Sequence, residues 1–180
     1  LATWRELLAE SSGEVDADAV AFTERLARDL AELELRIKLS GPDLQGRTIS
    51  LDSAEYKGKM VLIHYWSSSY SACKRDLPQI KELLEKYGPL GFAVIGVSLD
   101  NQADELQEFL SENRVPWPQI HEAGGMESRL ANEMGIISLP TMILIDAKGR
   151  VLNRNLRSGS DELELELKGQ LKPQVAKNRK

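Results

Sequence analysis

Apolar and polar positions change their period along this chain, and the changes mark its elements. Ala19, Phe22, Leu26, Leu30, Leu33 and Ile37 recur at steps of three and four, the spacing of one helical face. They predict an amphipathic helix from Asp16 to Ile37. Trp4, Leu7 and Leu8 predict a shorter helix before it, with a break at Ser11-Ser12-Gly13. Residues 1–36 then read as a helical extension packed on the main domain, the alternatives being a dimer or partner contact or the end of a preceding domain.

After Ile37 the grammar becomes that of strands and turns. Ser40-Gly41-Pro42-Asp43 and Gln45-Gly46 carry turn chemistry, and Arg47 to Leu51 alternates, which predicts an N-terminal hairpin. Met60 to Trp66 is a continuous apolar run around His64 and predicts a buried strand. A helix over 72–87 places Leu77, Ile80, Leu83, Leu84 and Tyr87 inward and stops at Gly88-Pro89. Phe92 to Ser98 predicts a second strand, followed by a helix capped by Asp100 or Asn101 that carries Leu106, Phe109 and Leu110. A short helix from Met126 to Met134 comes next, with both methionines assigned to the core. Met142–Asp146 and Arg150–Arg154 flank Ala147-Lys148-Gly149 as a hairpin. Leu163, Leu167 and Leu171 share one face of a closing helix, and residues 173–180 form a basic tail. The predicted class is α/β, with one domain over residues 37–172.

Composition narrows the functions this organisation can serve. The 180 residues are 42% hydrophobic, enough to bury a core without a covalent staple. A net charge of −5 excludes the dense basic face that nucleic acid requires. No apolar run reaches the roughly 20 residues that cross a bilayer. The sequence begins at Leu1 rather than Met, which predicts a processed or truncated form and leaves room for an anchor or export signal before Leu1.

One residue carries the candidate chemistry. Cys73 is the single cysteine, and it follows a strand-to-helix turn in Trp66-Ser67-Ser68-Ser69-Tyr70-Ser71-Ala72-Cys73. With no second thiol, a disulfide within the chain is excluded. His121 falls in a predicted loop without metal-ligand company, and no phosphate loop, metal cluster or serine triad is present; no cofactor is called for.

Several ordered segments resemble the TlpA and ResA branch of thioredoxin-like proteins, which is related to the AhpC/TSA proteins. They are Gly58 to Trp66, Cys73-Lys74-Arg75-Asp76-Leu77-Pro78, Gly91 to Asp100, Val115-Pro116-Trp117-Pro118 and Ser138-Leu139-Pro140-Thr141. The resemblance runs from about Leu39 to Leu171. It implies the thioredoxin fold, a central mixed sheet flanked by helices, and an extracytoplasmic thiol-disulfide oxidoreductase with a WxxxCxxC site. On that motif Trp66 takes the tryptophan position, Tyr70 stands where the nucleophilic cysteine belongs, and Cys73 is the resolving cysteine. His64 takes the place where the family often keeps a buried acid as proton shuttle. Pro140 is implied to be cis, with Leu139 and Thr141 beside it forming a surface for an extended peptide or protein partner.

Tyr70 decides what the resemblance is worth. In a dithiol site the first sulfur, at a helix N-terminus, has a lowered pKa and attacks, and the second resolves the mixed disulfide. A phenol forms no exchangeable bond with sulfur. The leading expectation is therefore a member that has lost dithiol exchange and keeps the scaffold for binding or a structural role. Alternatives are a single-cysteine redox protein, through a mixed disulfide or peroxide sensing at Cys73, and a domain of a larger redox protein whose catalytic cysteine lies elsewhere. His64, on the same strand face as Leu62 and Trp66, is expected under the helix near Cys73 as a neutral, hydrogen-bonded core histidine, with a thiolate–imidazolium pair as the alternative.

Overall fold

The computed structural model describes residues 20–27, 36–156 and 159–171. The chain divides into two compact units, Leu1–Arg36 and Ile37–Lys180. In the first, residues 20–27 are helical, and Phe22 and Leu26 are exposed on successive turns. The rest of the long predicted helix up to residue 35, the helix around Trp4 and the basic tail lie outside the described residues; Arg36 and Ile37, expected at the end of that helix, are not helical.

The second unit is built on a strand that is apolar along nearly its whole length. β3 (Met60–Trp66) has all seven residues buried, because a run that shows no polar alternation has to be covered on both faces. It pairs parallel with β4 (Phe92–Ser98) and antiparallel with β6 (Thr141–Ile145). β5 (Gln119–His121) and β7 (Val151–Leu156) complete a five-stranded sheet in the order β5-β4-β3-β6-β7. A separate antiparallel pair, β1 (Ser40–Pro42) and β2 (Thr48–Ser50), forms the N-terminal hairpin.

Successive residues of β3 point to opposite faces, so the pleat sorts the core into two layers. Met60, Leu62 and Trp66 pack with Cys73, Leu77, Ile80, Leu83 and Tyr87 of α1 (Ser71–Tyr87), with Leu106 of α2 (Ala103–Asn113) and with Leu163 and Leu167 of α4 (Glu162–Gln170). Val61, Ile63 and Tyr65 face the other way, against Leu39, Leu51 and Tyr56 and against Leu130 and Ala131 of α3 (Arg129–Glu133).

Four further expectations are corrected. α2 begins at Ala103 with Gln102 as its N-cap and no side-chain cap, because Asp100 is turned inward to other donors. The helix expected over 126–134 is a 3-10 turn at Gly125–Glu127 followed by α3, which Ser128 starts by accepting from the Ala131 N–H. Met126, assigned to the core, is 38% exposed on that turn. His121 closes β5 rather than lying in a loop; three residues following Pro118 are too few for periodicity to reveal.

Gly96 sits between His64 of β3 and Gln119 of β5 in the sheet register. A Cβ here would run into the Gln119 side chain. Gln119 Oε1 accepts from the Trp66 indole at 2.9 Å, so the bare position is what lets the amide reach the tryptophan. Gly96→Ala is expected to cost about 1–3 kcal/mol by displacing that amide, read as a lowered midpoint in urea unfolding. An unchanged midpoint would show that Gln119 has another place to go.

Candidate functional site

The loop and helix that follow β3 form the candidate site. The loop Ser67–Tyr70 is cinched by one buried carboxylate at the end of β4. Asp100 accepts from Ser67 Oγ at 2.8 Å, from Ser68 N–H at 2.9 Å, from Ser68 Oγ at 2.9 Å and from Ser98 Oγ at 2.7 Å. The ring of His121 approaches the Asp100 carbonyl, Nε2 to oxygen 2.9 Å. A buried carboxylate satisfied by four donors is strongly held, and it fixes the chain just before α1. Ser67 and Ser68 are thus donors to Asp100, a role that serine composition alone does not announce.

Tyr70 is the N-cap residue of α1, in extended conformation, with no side-chain bond to the helix, and it is 54% exposed. The first turn of α1 holds no acidic residue. Three residues on, Cys73 is fully buried, packed in the layer of Trp66 and Leu77. Burial pushes the Cys73 thiol up from its ordinary range, the charges of Asp76 and Asp100 push it the same way, and the Ser67 backbone pulls against them. The local environment therefore favours thiol over thiolate.

His64 and Trp66 emerge on the α1 side of β3 with ring planes 9° apart and centroids at 6.1 Å. The ionisable neighbour that faces His64 is Asp76 of α1: His64 Nε2 lies 3.3 Å from Asp76 Oδ2, and both side chains have zero exposure. Sequence reasoning passes over Asp76, which reads as one more charge in Lys74-Arg75-Asp76. Its signal is its position, three residues after Cys73 and therefore on the same inward stripe of the helix.

Leu139–Pro140 is a cis peptide. β6 starts next to it, and Thr141 pairs with Tyr65, so the segment lies at the end of the sheet from which Tyr70 also emerges. Thr141 Oγ1 donates to the Ser138 carbonyl at 2.7 Å. Leu139 is partly buried against both core layers, whereas Ile137, two residues before it, is 91% exposed. The structure thus brings Trp66 and Cys73 into one packed layer and places Tyr70 and Leu139–Pro140–Thr141 at one end of the sheet. His64 is buried as expected and lies against Asp76, but it is not the hydrogen-bonded histidine expected from the sequence, since neither ring nitrogen makes a hydrogen bond. Among the described residues no group of three or more His, Cys, Asp or Glu side chains is arranged to hold a metal ion, and no helix is long and apolar enough to cross a membrane.

Known proteins resemble this chain in sequence and fold. The AhpC/TSA family model matches residues 32–154. The thiol-disulfide oxidoreductase ResA of Bacillus cereus is 30% identical over 139 residues, covering 74% of this chain and 78% of its own. Sporulation thiol-disulfide oxidoreductase A of Bacillus subtilis is 27% identical over 111 residues, covering 60% and 64%. Among solved structures, the thioredoxin domain of a thiol-disulfide oxidoreductase from Bacteroides vulgatus superposes with a TM-score of 0.68 at 25% identity, over 77% of this chain and 96% of its own. With its mixed sheet, its α1 opening on Cys73 and these relatives, the chain belongs to the AhpC/TSA family, in the thioredoxin-fold branch of the ResA-type thiol-disulfide oxidoreductases.

Proposed function

We propose that this chain is a ResA-type thioredoxin-fold protein without dithiol exchange, which works as a binding module for an extended segment of a partner protein in an extracytoplasmic compartment. The observation that carries this reading is the state of its one thiol. Cys73 holds the resolving position, is fully buried and has its thiol pushed up, while the exposed position at the head of α1 is occupied by Tyr70. Exchange begins with attack by an exposed thiolate, and the single cysteine of this chain is not exposed.

A single-cysteine redox role at Cys73 draws no support from this geometry. Peroxide and glutathione both require access to the thiolate, and burial opposes both access and ionisation. What the surface does offer is shape. The Tyr70 ring and the side chain of Ile137 are exposed at the end of the sheet that carries the cis Leu139–Pro140 peptide. A partner strand laid there would find apolar contacts without needing a sulfur. The assignment of compartment rests on the ResA-type relatives.

Thiol-specific labelling at pH 8 reads the state of Cys73 directly. The folded protein is expected to react about a hundredfold or more slowly than the denatured chain, because reaction requires local opening. Fast labelling of the folded protein would overturn the reading in favour of single-cysteine chemistry. In an insulin-reduction assay with dithiothreitol the native chain should not exceed background, whereas Tyr70→Cys should oxidise to a disulfide with Cys73 and gain activity. A Tyr70→Cys variant that keeps two free thiols under oxidant would show that the loop no longer has the family's geometry.

A further inference from the structure

Beneath Cys73 lies a pair of ionisable groups that neither binding nor exchange uses. His64 and Asp76 both have zero exposure, and His64 Nε2 is 3.3 Å from Asp76 Oδ2. None of their four polar atoms, His64 Nδ1 and Nε2 or Asp76 Oδ1 and Oδ2, meets a well-formed hydrogen-bond partner. Buried polar atoms are nearly always satisfied, so two orphaned side chains facing each other have only each other to compensate their charge.

Electroneutrality then limits what the pair can be. Imidazolium with carboxylate and imidazole with carboxylic acid both sum to zero charge, and they differ by one proton moved across the contact. Adding a proton leaves a net positive pair, and removing one leaves a net negative pair, in a layer made of Leu62, Trp66, Leu77 and Leu144. Either change strands a charge without solvent, which is far costlier than the neutral state.

Among the described residues no third group bonds to either side chain. Beside His64 in the sheet stand Gly96 and Met142, neither of which ionises. α2 and α4 present Leu106, Leu163 and Leu167 to this layer. Of the other ionisable groups of the site, Cys73 is buried in the same layer and Asp100 is already held by the serines. Lys74 and Arg75 are exposed on α1, the Lys74 ammonium lying over the Phe109 ring.

We propose that His64 and Asp76 hold one proton between them as a neutral pair, and that this pair keeps Cys73 in its thiol form. His64 is thereby engaged by the carboxylate and not free to take the sulfur's proton. Moving that proton from Cys73 Sγ to the pair would leave a thiolate beside a net positive pair, two separated charges where there were none. The two groups act on the sulfur as positioning residues. This assignment is independent of what binds at Tyr70, and its test does not involve a partner.

Two measurements on the whole chain decide it. In Asp76→Asn, the Cys73 13Cβ titration should move to lower pH, because His64 is released to accept the sulfur's proton, an effect that a purely structural role does not produce; an unmoved or raised titration would overturn the link to the sulfur. By denaturant unfolding, His64→Leu and Asp76→Leu should each lower the folding equilibrium constant by about a hundredfold or more, while the double variant returns to within about tenfold of the native value. Additive losses in the double variant would show that the two side chains are not a pair. If a single leucine variant does not fold, the double variant still decides: recovery of folding supports the pair, and failure to fold overturns it.

Discussion

β3 runs through the middle of the sheet, parallel to β4 on one side and antiparallel to β6 on the other, with every residue buried. Its alternation is the constraint on which the site depends. Leu62, His64 and Trp66 go to the α1 layer, and Val61, Ile63 and Tyr65 to the other, so a slip of one residue would take the histidine and the tryptophan away from Cys73 together. The strand also fixes where the next segment starts. Ser67 and Ser68 follow Trp66 directly into the grip of Asp100, at the end of the neighbouring strand. Sheet register, loop anchor and helix start are thus one mechanical unit.

The polar contents of that unit divide into two kinds. Asp100 is a satisfied carboxylate: its serine and backbone donors offset its desolvation, and its work is to hold the loop. Asp76 is an unsatisfied one, facing an equally unsatisfied histidine. Both carboxylates bear on Cys73 in the same electrostatic direction. A site tuned to release a thiolate would set a positive group near the sulfur; here the core side holds carboxylates, and the exposed head of the helix carries a phenol.

Much of this is legible in the sequence, and the parts that are not share a physical cause. The apolar run at Met60–Trp66 and the inward stripe of α1 follow from period alone, because burial on one face of a helix or both faces of a strand leaves a repeating trace. The lone cysteine and Tyr70 can be placed because neighbouring motifs fix the register. β5 escapes, since three residues cannot display a period. Asp100 reads as a helix cap, because aspartate before a helix usually is one, and its inward turn is invisible until its donors are assembled. Asp76 and Gln119 do not stand out because their importance lies in contacts across the sequence: one meets His64 from α1, the other meets Trp66 from β5. Pairings of that kind exist only after the chain has folded.

Tyr70 differs from its neighbours in the site by having nothing to hold. Trp66 is locked to Gln119, Ser67 and Ser68 are locked to Asp100, and His64 faces Asp76, but the Tyr70 ring is half exposed and makes no cap bond to the helix it precedes. Tyrosine and cysteine codons differ by a single base. On the proposed reading, one base therefore separates the one-sulfur site from a two-sulfur site, at a position whose side chain makes no cap bond that the change would break.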